Sequence, residues 1–591
     1  MPLIGAFLLA ATVLAFWGVG ACGFVNLDDD AYVEHQPLVN QGLRSAGIAW
    51  AFTGVHSSNW HPLTTLSHQL DCELFGLTPA PMHWVNLGWH ALNALLVFLV
   101  WRALTHALWR SAIVATLFAV HPLHVESVAW ISERKDVLCA FFWLLGFWAY
   151  VRHTRQPSVM RYLFVAAALV LALLSKPMAV TFPCTLLLLD FWPLRRWPGK
   201  SWRALVIEKL PLLALVVGHS VLTWWAQIGT GAAQFGERFS LDVRLANAVV
   251  SYARYVGKTL WPESLAPMYF HPGLWPIAAI VGAAALLILV TAIAWRLRRS
   301  QPAVLWGWLF FLGTLVPVIG IVQVGAQAMA DRYMYLPILG LFTAIVWPFA
   351  GVAASRPAVR VALMAATAAL LIGFGFATTR QVPVWRNSIA LHTHSLAVGE
   401  DNPATRYLLA LALQAAGRPP AEVVAQFQAA LRHRPDYVNA LTQLAVIALG
   451  SGQIDEARRL IAETVRLEPR NASLHLNLGA IALRTGQRDE AERHFERALQ
   501  LDPRLPGAQL ELGQIRLAQQ RHEEARAHYE ARAQVERWNP DALTDYGTLL
   551  CNLGRPDEGQ VFLERALWIA PGHARAKTAL DAARLLPRPA R

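Results

Sequence analysis

Residues 472–505 read ASLHLNLGAIALRTGQRDEAERHFERALQLDPRL, and their skeleton of small, apolar and proline positions recurs at intervals of 34 residues. Ala445, Gly479, Gly513 and Gly547 hold one register. Ala457, Ala491, Ala525 and Gly559 hold a second, and Ile461, Phe495, Tyr529 and Leu563 a third. Pro435, Pro469 and Pro503 continue to Pro571, with Arg537 at the intervening position and Pro540 slipped by three residues. Small residues where two helices cross, and proline at the turn between units, describe repeated helix pairs that stack into a short superhelix with a concave face.

The period and its small-residue code are the tetratricopeptide signature. About five repeats fill residues 401–585. Upstream the composition changes. The chain of 591 residues is 15% charged with mean hydropathy +0.36 and 24 tryptophans, and apolar runs near 20 residues recur from Leu3 to about Ala377. That is the length a bilayer core requires. Eleven spans are expected, at about 3–20, 86–104, 111–129, 137–151, 161–175, 178–193, 205–226, 274–295, 303–322, 334–353 and 359–378. The fold expected is all-α: a polytopic membrane helix bundle over 1–380, a linker over 381–400, and the tetratricopeptide α-solenoid.

Loop charge orients the bundle. Arg102 and Arg110, then Arg152, Arg155 and Arg161, then Arg195, Arg196, Lys200 and Arg203, then Arg296, Arg298 and Arg299, then Arg356 and Arg360 all fall on one side of eleven spans. By the positive-inside rule that side is cytoplasmic, which puts the N-terminus inside and the repeats outside. The net charge of +12 is absorbed largely by this pattern, so nucleic acid is not an expected partner. The segment 241–261 is apolar on one side but carries Arg244, Asn247, Arg254 and Lys258, and reads as an amphipathic helix on the outer surface. Five cysteines form no metal-like spacing. Cys22 and Cys72 flank the first long loop, and the sequence allows a disulfide between them or free thiols. Leu3–Gly20 lacks a basic leader and reads as a retained span.

Polar strings gather on the outer side. The first loop holds Asp28-Asp29-Asp30 and Asn59-Trp60-His61-Pro62-Leu63-Thr64. A carboxylate held at a membrane surface suits activation of an acceptor nucleophile, and equally suits a helix cap. The second carries His121-Pro122-Leu123-His124-Val125-Glu126 and Ser132-Glu133-Arg134-Lys135-Asp136. Two histidines and a glutamate so close leave a divalent metal possible, although the spacing matches no standard ligand set. Arg134 and Lys135, Lys176 before Pro177, and Arg332 after Asp331 run against the positive-inside trend and suit a lipid phosphate, or snorkel at helix ends. No phosphate-binding glycine loop, hydrolase elbow or zinc-protease helix occurs.

These strings closely resemble those of the transmembrane and tetratricopeptide-repeat-containing O-mannosyltransferases and their bacterial relatives, within the GT-C glycosyltransferase superfamily. The resemblance covers almost the whole chain. It implies a polyprenyl-phosphate sugar, mannose-like, as donor, a protein hydroxyl as acceptor, and a first-loop acidic motif at the catalytic centre. On that reading Asp28 and Asp29 match the paired acidic motif, extended by Asp30, and which of them is the base stays open. Arg134 and Asp136 match an arginine–acid pair, Arg332 follows Asp331, and Arg134, Lys176 and Arg332 would bind the donor phosphate. His61, His121, His124 and Glu126 are supporting residues. Lys176 is followed by Pro177, where eukaryotic members tend to have an acidic residue. The resemblance and the Ala-, Leu- and Arg-rich usage point to a bacterial inner membrane with periplasmic repeats, or to the ER membrane in a eukaryote.

The expected activity is inverting sugar transfer, with the repeat groove holding an acceptor polypeptide or a partner that delivers one. Two rival readings are a membrane-anchored scaffold that binds proteins through its repeats, and a transporter for an amphipathic lipid. Eleven spans exceed what anchoring needs, and transporters place ionisable residues in mid-span rather than in outer loops.

Overall fold

A computed structural model describes residues 1–55, 59–228, 239–322, 325, 327–355, 357–399 and 401–586. Its contacts divide the chain into two units, Met1–Leu43 with Ile48–Glu400, and Arg44–Gly47 with Asp401–Arg591. Both are helical. The single departure from an all-α fold among the described residues is a two-stranded antiparallel ladder of Tyr269–Phe270 with Gln327–Met329.

In the first unit each of the eleven expected spans meets a helix, but their lengths correct the count. Six helices are long and apolar enough to cross a bilayer alone: Pro2–Ala21, Pro79–Thr105, Ile131–Arg155, Trp202–Trp225, Ile277–Arg296 and Ala358–Trp385. A seventh exists only if Leu108–Val120 and Pro122–Ala129, bent by 53° at their junction, count as one. The bend has a local cause: Pro122 lacks an N–H and opens the second segment, while His121 is extended. The remaining four, Val159–Ser175, Pro177–Phe191, Pro302–Leu315 and Ile338–Ala353, are shorter than a full crossing. The chain is an integral membrane protein by these segments. Arg356, used above in the loop-charge pattern, lies outside the described residues.

Two of the short helices still run the depth of the unit. Lys176, between Val159–Ser175 and Pro177–Phe191, sits with Glu133 and Asp136 at the start of Ile131–Arg155. At the far ends of the same helices, Tyr150 donates to Asp190 Oδ1 at 2.6 Å, Lys209 pairs with Asp190 at 2.6 Å, and Arg196 pairs with Glu208 at 2.7 Å. This buried cluster locks three helix ends together. Elsewhere Pro302–Leu315 and Ile338–Ser355 approach until their backbones touch, because Gly307 and Gly340 face each other and a Cβ on either would strike the other's carbonyl.

The segment 241–261 is a helix, Leu241–Leu260, with Asn247, Ser251, Tyr255 and Thr259 buried at four-residue spacing. Its polar side chains clamp a strand rather than face outward. Asn247 and Ser251 donate to the Ala328 carbonyl, and Tyr255 exchanges hydrogen bonds with the Ala330 backbone, two residues before Arg332. Residues read as a linker fold into the first unit: Ser388–Val398 is a helix, Gly23 N–H donates to the Arg386 carbonyl, and His392 meets Asn26. All five cysteines are free, so Cys22 and Cys72 are buried thiols.

The second unit is a run of helix pairs from Pro403–Ala415 with Pro420–His433 to Pro540–Asn552 with Pro556–Ile569, closed by Ala574–Leu585. The recurring small residues are where helices meet. Ala457, Ala491 and Phe495 are fully buried, and a Cβ at Gly479 would collide with the Phe495 ring.

Candidate functional site

A cavity of about 390 Å³ opens in the first unit, and its wall is built from five distant parts of the sequence. Asp28, Asn59 and His61 come from the first loop, Glu133 and Lys135 from the start of the Ile131–Arg155 segment, and Lys176 from the break between the two short helices. Thr223 and Trp224 come from the end of Trp202–Ile228, and Arg332 and Tyr333 follow the clamped strand. Met178, Val180, Pro317, Val318 and Val322 make another side apolar. The lining is therefore partly charged and partly of a kind that suits hydrocarbon.

Glu133 organises the charged wall. Its carboxylate pairs with Lys135 at 3.1 Å, Lys176 at 3.3 Å and Arg332 at 3.3 Å, and its side chain is 1% exposed. Asp136 holds Lys176 from behind at 2.5 Å and accepts from Ser127 Oγ at 3.0 Å. Glu126 accepts from the Arg332 N–H at 2.7 Å and pairs with its guanidinium. Rings complete the packing: Arg332 lies over Trp130 and Tyr333, and Lys135 over Tyr32 and Trp130. Burial depresses the basicity of Arg332, but the Glu126 carboxylate more than offsets it and holds the guanidinium charged.

The three aspartates have three different environments. Asp28 lines the cavity; burial raises its pKa, and Lys135 and Arg332 pull it back. Asp29 is fully buried and does not line the cavity. Both of its oxygens are taken, Oδ2 by the Val25 N–H at 3.0 Å and Oδ1 by the Ser132 N–H at 2.9 Å and hydroxyl at 2.6 Å. Burial still pushes its pKa to about 7. Asp30 accepts from the Ala31 N–H at the start of a short helical turn and also stays off the cavity wall. An acceptor hydroxyl in the cavity can reach Asp28, whereas Asp29 ties the first loop to Ser132.

Other expected residues divide in the same way. Arg134 is fully buried and absent from the wall, pairing with Asp71 at 2.6 Å and donating to Ser67 Oγ, Asn86 Oδ1 and the Met82 carbonyl. It is held as a structural tie away from the cavity, whereas the next residue, Lys135, lines it. His121 donates to the Thr259 carbonyl and accepts from the Leu123 N–H, and His124 donates to the Phe118 carbonyl. Neither turns towards Glu126, so the metal ligation considered from their spacing is not assembled, and no group of three potential ligands exists among the described residues. Asp331 accepts from Tyr269 OH at 3.0 Å, and burial raises its pKa to about 6 against the opposing charge of Lys258. His61 lines the cavity while 6% exposed, and burial followed by the charges of Lys135 and Lys176 holds its imidazole neutral.

The sequence placed Glu133 in a charged string without giving it a role, and did not single out His219 or Thr223, which also line the cavity. Glu133 adjoins Arg134 in a charged string, where nothing marks which carboxylate faces the cations. His219 and Thr223 lie inside an apolar run, where their four-residue spacing was the available signal.

Comparison with known proteins finds relatives for both halves. Residues 441–528 match the family model for the cilia and flagella-associated protein 70 middle TPR-like domain, and residues 403–421 and 516–583 match tetratricopeptide repeat models. The protein O-mannosyl-transferase TMTC1 of Homo sapiens is 24% identical over 516 residues, covering 76% of this chain and 57% of the human protein. The protein O-mannosyl-transferase Tmtc1 of Drosophila melanogaster is 35% identical over 148 residues, 25% of this chain and 17% of that protein. The chain thus spans little more than half the length of the human relative and less of the fly one. YrrB, described as a TPR protein with an unusual peptide-binding site, aligns with 32% of this chain and 97% of its own at 18% identity and a TM-score of 0.24. Over these stretches the chain is similar to the TMTC O-mannosyl-transferases.

Proposed function

We propose that this chain is a membrane glycosyltransferase that moves a sugar, mannose-like, from a polyprenyl phosphate to a protein hydroxyl on the non-cytoplasmic side. One observation carries the reading: a single cavity is lined by a half-buried carboxylate, Asp28, by Lys135, Lys176 and Arg332, and by apolar side chains. Asp28 takes the proton of the acceptor hydroxyl as its oxygen attacks the anomeric carbon. The bond from that carbon to the phosphate oxygen breaks, and the phosphate leaves with the electron pair. The three cations neutralise the charge that develops there, in a water-poor site where such contacts count most. Met178, Val180 and Val318 would meet the first isoprene units. The step as written needs no metal.

The repeats serve as the acceptor-binding arm, holding a polypeptide or a partner that presents one in their groove. The N-terminus is cytoplasmic and the repeats lie outside, in the periplasm of a bacterium or an organelle lumen.

The test is transfer by the purified protein from radiolabelled polyprenyl-phosphate mannose to a serine- or threonine-containing peptide. Release of polyprenyl phosphate that vanishes in Asp28→Asn supports the reading. Release by Asp28→Asn at the wild-type rate rejects Asp28 as base, and absence of donor binding across the common hexoses rejects the enzyme.

A further inference from the structure

Asp28 sits between two anchors. On one side Asp29 is tied to Ser132. On the other, Asn26 is gripped twice by the helix Ser388–Val398: its N–H donates to Ser388 Oγ at 3.0 Å, and its side-chain Oδ1 accepts from His392 Nε2 at 2.8 Å. Ser388 and His392 share one face of that helix, whose start Asn387 caps by accepting from the Ala390 N–H at 2.9 Å. An amide oxygen can only accept, so Nε2 carries the proton, and burial pushes the His392 pKa down to about 4, which keeps the ring neutral. The same stretch of chain also reaches the cations. Trp385, 2% exposed, stacks on Trp130 with ring centroids 5.6 Å apart, and Trp130 is the ring beneath Lys135 and Arg332.

We infer that the segment 382–398 is the positioning element of the transfer site, in which His392 and Ser388 set Asp28 through Asn26, and Trp385 sets Lys135 and Arg332 through Trp130. The inference rests on the transfer reading above. Ser388, His392 and Trp385 do not line the cavity, so they act only through the residues they hold. The base and two of the cations come from distant parts of the sequence, and one segment packs against the supports of both, which fixes their separation. A base displaced by about 1 Å from its acceptor hydroxyl can cost up to a hundredfold in rate. Displaced cations instead loosen the hold on the donor. The chain that runs on into the second unit at Asp401 is then part of the frame of the site and not a spacer.

The experiment measures transfer from polyprenyl-phosphate mannose to a serine- or threonine-containing peptide by the full-length protein in detergent. Rates are expressed per donor-binding site, so that unfolded protein does not count. His392→Leu should lower kcat roughly tenfold or more with the donor KM unchanged, and His392→Gln, which keeps an N–H donor near the place of Nε2, should restore most of it. Trp385→Phe should show the opposite split, a several-fold higher donor KM with kcat kept. A wild-type kcat in His392→Leu, a loss that His392→Gln does not repair, or an unchanged donor KM in Trp385→Phe overturns the assignment. If His392→Leu does not fold, Ser388→Ala takes its place with the same expected split, and a wild-type kcat there again overturns it. A wild type that transfers no sugar removes the transfer reading itself, whereas transfer unaltered by these substitutions removes only the positioning segment.

Discussion

Adjacent carboxylates in this chain differ in what they can do because they differ in free lone pairs. Asp29 accepts three hydrogen bonds from the backbone and Ser132, while Asp28 keeps its carboxylate for the cavity. Asp28→Asn should therefore abolish transfer with little change in thermal stability. Asp29→Asn turns an amide N–H₂ towards a backbone donor and should cost about 1–3 kcal/mol of stability, read as a lowered melting temperature, with transfer surviving in the folded fraction. The pH profile separates the two further. Burial raises the pKa of Asp28, and a base works only when ionised, so the rate should rise with pH through a midpoint above the ordinary aspartate value of 3.8. An acid limb at or below that value would contradict the assignment. Arg134 makes the same point from the other side: Arg134→Met strands Asp71 as a buried, unpaired charge and should cost about 3–5 kcal/mol, a folding defect and not a donor-affinity defect. The sequence showed that the strings were charged and on one side. It did not show which of Arg134 and Lys135 faces the cavity, because that depends on the phase of a helix start set by Trp130 and Ile131 packing, and no periodicity exists in so short a string.

At the scale of elements, the helix Leu241–Leu260 does more than its amphipathic pattern announces. Its amphipathic pattern was plain, and the helix is there. The pattern alone could not say that Asn247, Ser251 and Tyr255 meet partners 75 to 81 residues away, since the strand they hold has only three residues and no strand signal of its own. The clamp matters because Arg332 comes three residues after that strand. Tyr255→Phe removes both hydrogen bonds to the Ala330 backbone and touches nothing in the cavity. It should raise KM for the donor several-fold while leaving the protein folded, a split that a kinetic titration of polyprenyl-phosphate sugar measures. The helix lengths belong to this scale too. Hydropathy found every apolar segment and set Lys176 at the break between the fifth and sixth, but could not show that Glu133 and Asp136 meet it there.

For the molecule as a whole, the two halves were legible to different depths. A 34-residue period fixes helix pairs directly, because each repeat buries its small residues against its own partner and the pattern is local. The bundle's cavity is assembled from Asp28, Lys135, Lys176 and Arg332, more than 300 residues apart at the extremes, and no local pattern encodes that meeting. Sidedness is a prediction that draws on both levels. Arg152, Arg155, Arg195 and Arg196 adjoin the helix ends joined by the Tyr150–Asp190–Lys209 cluster, opposite the ends that carry the cavity. The positive-inside rule predicts that these basic loops stay in the cytoplasm and that the cavity faces the other way. The revised helix count preserves this: seven crossings with two short helix pairs give the same odd parity as eleven, and put the repeats on the cavity's side of the membrane, whereas six crossings put them in the cytoplasm. A membrane-impermeant maleimide decides between these. On a Cys184→Ser background, Arg470→Cys in the repeats should label in intact spheroplasts, and Arg299→Cys, in the exposed basic turn after Ile277–Arg296, only after lysis. Labelling of Arg299→Cys without lysis, or of Arg470→Cys only after it, would place the repeats away from the acceptor and leave the cavity without its peptide-binding arm.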